Sequence, residues 1–190
     1  MSKSSSDHFD FHLLDRSFSR DNFDCGVFEL NHFLKTKARQ NQSVGFNKTF
    51  VAISKDDSSK NILGYYSLSM GEIDLSSLPE NLVKKLPRHP VPVARMGRLA
   101  VDLSVKGKGL GQLLLVDAMK RVQRASELVG VFALLVDAKD VSAKNFYLKY
   151  GFLSLIHEDM TLFLPLSCFP SNWSARSKPK SSFSKGSRHT

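Results

Sequence analysis

Apolar positions change their period several times along the chain, and each change marks an element. Phe9 to Leu14 is a short mixed run that suits an opening strand. Further on, Phe28, Leu30, Phe33 and Leu34 recur at helical spacing, with Lys35, Lys37 and Arg39 on the outward side and Asp24 placed to cap the helix. Thr49 to Ser54 and Ile62 to Met70 are rich in β-formers and flank the polar loop KDDSSKN, which predicts a hairpin. Leu75 to Leu86 reads as a short helix. Pro87, Pro90 and Pro92 then hold an extended approach to the apolar strand RMGRLAVDLSV, Arg95 to Val105. That strand delivers a glycine-rich turn, Lys106 to Gly111, directly to an amphipathic helix, Gln112 to Glu127. Val131 to Val136 is nearly all apolar, as a strand buried on both faces requires. Val141 to Tyr150 forms a helix stopped by Gly151, and Phe152 to Ile156 and Met160 to Leu164 are a closing pair of strands. No internal repeat interrupts the series.

Composition bounds the ends and the partners. With 190 residues and 42% hydrophobic side chains, the chain fits one domain with a real core. That domain is expected over residues 9–166, between a Ser-rich, disordered N-terminus at 1–8 and a basic tail at 167–190. From Ser171 onward the tail carries Arg176, Lys178, Lys180, Lys185 and Arg188 without one acid, and it is too polar to fold. Lys plus Arg total 27 against 18 for Asp plus Glu, a formal net charge of +9, which favours polyanionic partners. Cys25 and Cys168 share no metal-ligand or disulfide spacing, so neither a metal nor a disulfide framework is expected. The N-terminus lacks the apolar core of a signal peptide, and no run is long enough to span a bilayer. A cytoplasmic protein without membrane attachment is the expectation.

The turn from Lys106 to Gly111 carries the chemistry. Glycines at a strand-to-helix turn let successive N–H groups face one concavity, and the helix dipole adds partial positive charge there, so an anion such as phosphate is expected. A purely geometric use of the glycines is the alternative. The order of elements and two motifs resemble the GNAT acetyltransferases. Lys106-Gly107-Lys108-Gly109-Leu110-Gly111 is similar to that family's pyrophosphate motif, with Lys106 where Gln or Arg is usual. Ala143, Phe146, Tyr147, Gly151 and Phe152 match its second motif, with Asp140 in place of a common Asn. FDCGVFELNHFLKTKARQN, GYYSLS, KLPRHPVPVARMGRLAVD, ALLVDA and LFLPL narrow the resemblance, over roughly Phe11 to Leu166, to the toxins of bacterial toxin–antitoxin pairs.

The resemblance implies an α/β (α+β) GNAT fold, a mixed central sheet flanked by helices with a splayed central strand pair. It implies acetyl-CoA as donor, the α-amino group of aminoacyl-tRNA as acceptor, and a ribbon-helix-helix antitoxin as partner, with homodimerisation common among such proteins. In that scheme the edge Leu99, Ala100 and Val101 pairs with the pantetheine arm, and Lys106 to Gly111, including Lys108 and Leu110, hold the pyrophosphate. Tyr147 protonates the leaving thiolate, and Asn145 either bonds the cofactor or is a solvated surface residue. Glu29, Glu72 and Asp102 are base candidates by type, none singled out by spacing. Lys35, Lys37, Arg39, Arg88 and Arg95, with Lys84 and Lys85, either contact tRNA phosphates or are solubilising charges. Two other readings stand beside this one: a GNAT acting on a small amine or a protein N-terminus, and a non-catalytic RNA-binding module on the same scaffold.

Overall fold

The computed structural model describes residues 8–169, so residues 1–7 and 170–190 lie outside the described residues; the tail expected over 167–190 begins, contrary to that expectation, with an ordered stretch, a 3-10 turn at Leu166–Cys168 with Phe169 packed against the core. In chain order come β1 (Phe9–Leu13), α1 (Phe28–His32), a π-helical turn (Phe33–Lys37), α2 (Ala38–Ser43), β2 (Lys48–Ser54) and β3 (Ile62–Ile73). A 3-10 turn (Leu75–Ser77), α3 (Glu80–Val83), β4 (Val91–Val101) and a second 3-10 turn (Leu103–Val105) follow. The chain closes with α4 (Leu110–Ser126), β5 (Ala133–Asp137), α5 (Val141–Lys149), β6 (Leu153–Leu155) and β7 (Glu158–Pro165). Among the described residues, seven strands form one sheet ordered β1-β2-β3-β4-β5-β7-β6. Only β4 and β5 run parallel, joined through α4, so the sheet is mixed as expected.

The β4–β5 pairing is short. It runs from Val93 opposite Ala133 to Met96 opposite Val136 and stops. On its other edge β4 continues against β3, but the register moves from Ser67–Arg98 to Leu68–Met96, leaving Gly97 as one extra residue. Such a bulge bends a strand and increases its twist. Past Gly97, β4 is held on the β3 side only, and the sheet opens between the strand pair.

Each face of the sheet has its own core. Leu110, Leu114, Leu115, Ala118, Met119 and Val122 form the buried stripe of α4 against Tyr66, Met96 and Val136. On the opposite face Leu14, Phe23, Phe33 and Leu34 pack on Tyr65 and Ala100. A third cluster around Ile73, Leu78, Val93 and Phe163 fills the distal end. Tyr66 fastens the first layer: its hydroxyl donates to Asp117 Oδ2 at 2.5 Å, Arg121 Nε donates to the same oxygen at 2.9 Å, and the Arg121 guanidinium lies 4.1 Å above the Phe50 ring. No helix among the described residues is long and apolar enough to cross a membrane.

Several local expectations are corrected. Asp24 does not cap α1; the helix starts at Phe28 with no side-chain cap, and Asp24 Oδ1 instead accepts from the N–H of Gly26 at 2.8 Å and from Asn31 Nδ2 at 2.7 Å. Phe28 does not point inward. It is 75% exposed and stacks on His32 at the first position of α1, whereas Phe33 and Leu34, which open the π turn, are buried as expected. The helix expected over Leu75 to Leu86 is split into a 3-10 turn and α3 at Pro79, which has no N–H to continue the first turn. The central strand begins earlier, at Val91, and ends at Val101, where Asp102 caps the next 3-10 turn through Ser104 N–H at 2.9 Å.

Gly64 records how closely α4 lies on the sheet. A Cβ there would fall 2.8 Å from Leu114 Cδ1 and 3.2 Å from both the Ala100 carbonyl oxygen and Leu110 Cδ2. Gly64→Ala is therefore expected to destabilise the fold by about 1–3 kcal/mol, seen as a lower midpoint in chemical denaturation. An unchanged midpoint would mean that α4 does not rest on β3 at this contact.

Candidate active site

The glycine turn is built by conformation. Gly107 (φ +80) and Gly109 (φ +83) both occupy the left-handed region, yet a Cβ on either would meet nothing within 4 Å. Gly109 stands at the N-cap of α4 and brings no side chain to cap it. The first bond back is from Leu113 N–H to the Gly109 carbonyl at 3.2 Å, so the N–H groups of Leu110, Gly111 and Gln112 open the helix without intrahelical acceptors. Three N–H groups without intrahelical acceptors, at the positive end of a 17-residue helix, suit an anion.

This turn lies at a cleft of about 600 Å³ between the splayed end of β4 and α5. Leu99 and Val101 supply one wall, and Ala143, Phe146, Tyr147 and Tyr150 supply the other. Lys106, Lys139 and Lys149 are exposed around it and add positive charge beside the free N–H groups. Its mixture of an apolar slot and a cationic N–H cradle fits a molecule with a pyrophosphate and a long uncharged arm.

Local sequence explains how α5 is held. Asp140 caps it, accepting the Ala143 N–H at 2.7 Å, and that bond together with Lys139, whose Nζ is 3.0 Å away, keeps the Asp140 carboxyl below its ordinary range. Gly151, at φ +87, ends the helix, while Phe152 N–H returns to the Tyr147 carbonyl at 3.3 Å. Tyr147 is thereby fixed. Its ring sits 5.3 Å from that of Phe146 and 5.4 Å from that of Phe152, and 7% of the residue is exposed. Burial, and secondarily the charge of Asp137, push its ionisation well above that of an ordinary phenol. Among the described residues its hydroxyl has no hydrogen-bond partner, so it lines the cleft with its proton in place.

The sequence-selected residues divide. Leu99, Val101, Lys106, Gly107, Gly109, Leu110, Gly111 and Tyr147 all line the cleft. Ala100 turns to the opposite face and packs with Tyr65, leaving only its backbone at the opening. Lys108 points away and donates to the Ser104 carbonyl at 3.1 Å. Asn145 is exposed outside the cleft, because one helical step from Phe146 carries it off the face that Ala143, Phe146 and Tyr150 share. Asp102 is structural: burial opposes its charge, yet the N–H of Asp24 at 2.9 Å and the Ser104 contacts hold its carboxyl below the ordinary range. Glu29 and Glu72 are exposed and lie outside the cleft. Among the described residues the carboxylate that does line it, Asp140, is engaged as the α5 cap.

Of the basic residues, Arg95 is committed to Asp137, with Nε at 2.9 Å and Nη2 at 2.5 Å from the same oxygen. Lys37 and Arg88 are exposed, and Lys35 and Arg39 are half-buried on the π turn and α2. Gln112, Lys139, Lys149 and Tyr150 line the cleft without having been singled out. Lys149 and Tyr150 fall three and four residues after Phe146, a helical spacing that placed them on its face.

A fold and a cleft of this kind define an acyltransferase that grips an extended thioester donor. The family model described as an acetyltransferase (GNAT) domain matches residues 82–160. A tRNA-acetylating toxin of Mycobacterium tuberculosis is 33% identical over 130 residues, which cover 68% of this chain and 75% of that protein. The toxin AtaT, solved in complex with acetyl-methionyl-tRNAfMet, superposes with a TM-score of 0.79 at 31% identity, covering 84% of this chain and 95% of AtaT. A tyrosine-to-phenylalanine mutant of AtaT, bound to acetyl-CoA and to the C-terminus of the antitoxin AtaR, superposes with a TM-score of 0.72 at 28% identity, covering 84% of this chain and 94% of the mutant. The chain belongs to the GNAT acetyltransferases, in the family of the tRNA-acetylating toxins.

Gly109→Glu tests the cradle. The substitution forces a side chain into a left-handed backbone and sets a negative charge beside the free N–H groups. Calorimetry with acetyl-CoA is expected to show binding lost while circular dichroism shows the fold retained. Unchanged affinity in the folded variant would remove the turn from the site.

Proposed function

We propose that this chain transfers the acetyl group of acetyl-CoA to the α-amino group of an aminoacyl-tRNA, and so blocks translation as the toxin of a toxin–antitoxin pair in the cytoplasm. The observation that carries the reading is the cleft itself, with an N–H cradle at one end and a neutral, proton-bearing Tyr147 along the slot, in a chain related to tRNA-acetylating toxins. The catalytic unit is residues 9–166. A ribbon-helix-helix antitoxin and a second copy of the chain are the partners.

The N–H groups of Leu110, Gly111 and Gln112 and the backbone of Gly107 and Gly109 hold the pyrophosphate, with Lys106, Lys139 and Lys149 screening its charge. Past Gly97 the unpaired edge of β4 offers main-chain groups to the pantetheine amides, as a missing strand would. Bound there, acetyl-CoA presents a thioester; the amine forms a C–N bond at its carbonyl, the C–S bond breaks, and CoA leaves as a thiolate. Tyr147 gives that thiolate its proton and recovers one from the amine nitrogen through solvent.

Among the described residues no carboxylate is free to act as base at the cleft, and this acceptor needs none. An α-amine titrates near ~8, so roughly a tenth is unprotonated at neutral pH, against under a thousandth of a lysine amine at ~10.4.

Tyr147→Phe keeps the ring and the packing and deletes the hydroxyl. Turnover on charged tRNA is expected to fall by roughly 10²- to 10⁴-fold with acetyl-CoA affinity nearly intact, and growth arrest on expression to fall with it. A fully active variant would reduce Tyr147 to packing. A wild type that ignored charged tRNA and acetylated a polyamine would move the acceptor to small amines.

The pH profile has a definite sign. Because the Tyr147 proton is held beyond the ordinary phenol range, kcat/KM is expected to rise as the acceptor amine deprotonates near ~8 and to keep its plateau to about pH 10. An amide-linked aminoacyl nucleoside that survives alkali is the acceptor for this measurement. A fall centred below pH 10 would show that Tyr147 is not the proton donor.

A further inference from the structure

The far side of the opening carries a cation that has no counter-ion among the described residues. Arg98 follows the extra residue Gly97, just beyond the last β4–β5 pair, Met96 with Val136. Strand alternation turns it, with Ala100, away from Leu99 and Val101 and onto the face covered by α1 and the π turn. It is half-buried, and among the described residues no carboxylate lies within 4.0 Å of it and no acceptor takes a hydrogen bond from it.

What it does touch is an aromatic shelf. The guanidinium carbon lies 3.7 Å above the centre of the Phe33 ring. Phe33 opens the π turn, whose Lys35 carbonyl accepts from Arg20 Nη1 at 3.2 Å. Its ring stacks on Tyr65 at 6.1 Å, and the Tyr65 hydroxyl donates to the Leu30 carbonyl at 2.8 Å. A π turn inside a helix is a strained feature that recurs at functional sites, and here it sets a ring under one arginine. A guanidinium held by its face keeps its N–H edge free, which is the geometry that grips a phosphate with two parallel bonds. Taking a charge partly out of water without a counter-ion is costly, and none of the described residues supplies one, so a bound anion would offset that cost.

The proposed acceptor narrows what that anion is, and the inference rests on that reading. In an aminoacyl-tRNA the amino acid's carboxyl is spent in the ester, so the anion nearest the reacting amine is the phosphodiester joining the last two nucleotides. We infer that Arg98 binds this phosphodiester and so presents the amine to the opening from the α1 side, opposite the acetyl-CoA cleft. It is a positioning residue, and it selects acceptors that carry a phosphate close to the amine.

The test compares two minimal acceptors, both bearing the amino acid of the charged tRNA that the full chain acetylates best. One is its ester with adenosine, which has no phosphate; the other is its ester with the dinucleotide CpA, which has one. The wild type is expected to favour the dinucleotide in kcat/KM, and Arg98→Gln to shrink that preference by roughly 10- to 100-fold. The melting temperature and acetyl-CoA affinity establish that the variant is folded. Should Gln fail to fold, Arg98→Lys keeps the charge and loses the planar fork, and a partial loss of preference is expected. An undiminished preference in a folded variant, or a wild type that does not distinguish the two acceptors, overturns the role of Arg98 alone. A wild type that acetylates no charged tRNA overturns the acceptor reading, and Arg98's role with it.

Discussion

An extra residue in one strand bends that strand and increases its twist, and in this sheet the bend falls where the pairing of β4 with β5 ends. Between Met96 and Arg98 the main chain of β4 takes two steps while β3 takes one, and the surplus at Gly97 swings the rest of β4 away from β5. Everything functional sits around that gap. On one side are the cleft, the glycine turn and Tyr147; on the other are Arg98 and the helical layer that begins with α1. The gap costs main-chain hydrogen bonds that a regular sheet would make, and it leaves the β4 edge past Gly97 with main-chain groups to offer a ligand.

An opening of this kind keeps its shape only if both of its sides are tied down elsewhere. The α4 layer is fastened by Tyr66, Asp117 and Arg121, a charge-assisted triad in contact with the Phe50 ring. The opposite layer is fastened by Tyr65, whose ring meets Phe23 and Phe33 and whose hydroxyl holds the α1 backbone. Two adjacent tyrosines on β3 thus anchor opposite faces of the sheet. Asp102 joins the layers at the gap itself, accepting from Asp24 N–H while Leu103 N–H donates to the Asp24 carbonyl. The segment leading into α1 and the segment leading into the glycine turn are thereby one piece.

What could be read from the sequence followed the range of the interactions. The glycine turn, α4 and α5 depend on residues near one another in sequence, and they form where spacing placed them, although Lys108 and Asn145 turn away from the cleft. Boundaries moved where a single local rule prevailed, as at Pro79 and at the Asp102 cap. The rest is non-local. Asp24 had the chemistry of a helix cap and was taken by Gly26 and Asn31 instead. Phe28 had the spacing of a core residue, yet α1 begins at it and leaves it exposed. Asp102 was a base by type, but Asp24, distant in sequence, made it structural. Arg95 and Arg98 lie three residues apart on β4; one found Asp137 on a neighbouring strand, and the other, among the described residues, lies over the Phe33 ring.

The cleft that receives the acetyl donor is bordered by three lysines, Lys106, Lys139 and Lys149. Each carries a primary amine close to a reactive thioester, the arrangement in which an acetyltransferase modifies itself. Among the described residues the one carboxylate that lines the cleft, Asp140, is held by the α5 backbone, and the bond from Ala143 N–H keeps it below the ordinary carboxyl range, so it is a poor base for an amine beside it. An acidic side chain tuned upward in this cleft would widen the range of amines accepted and would expose the enzyme's own rim to its chemistry.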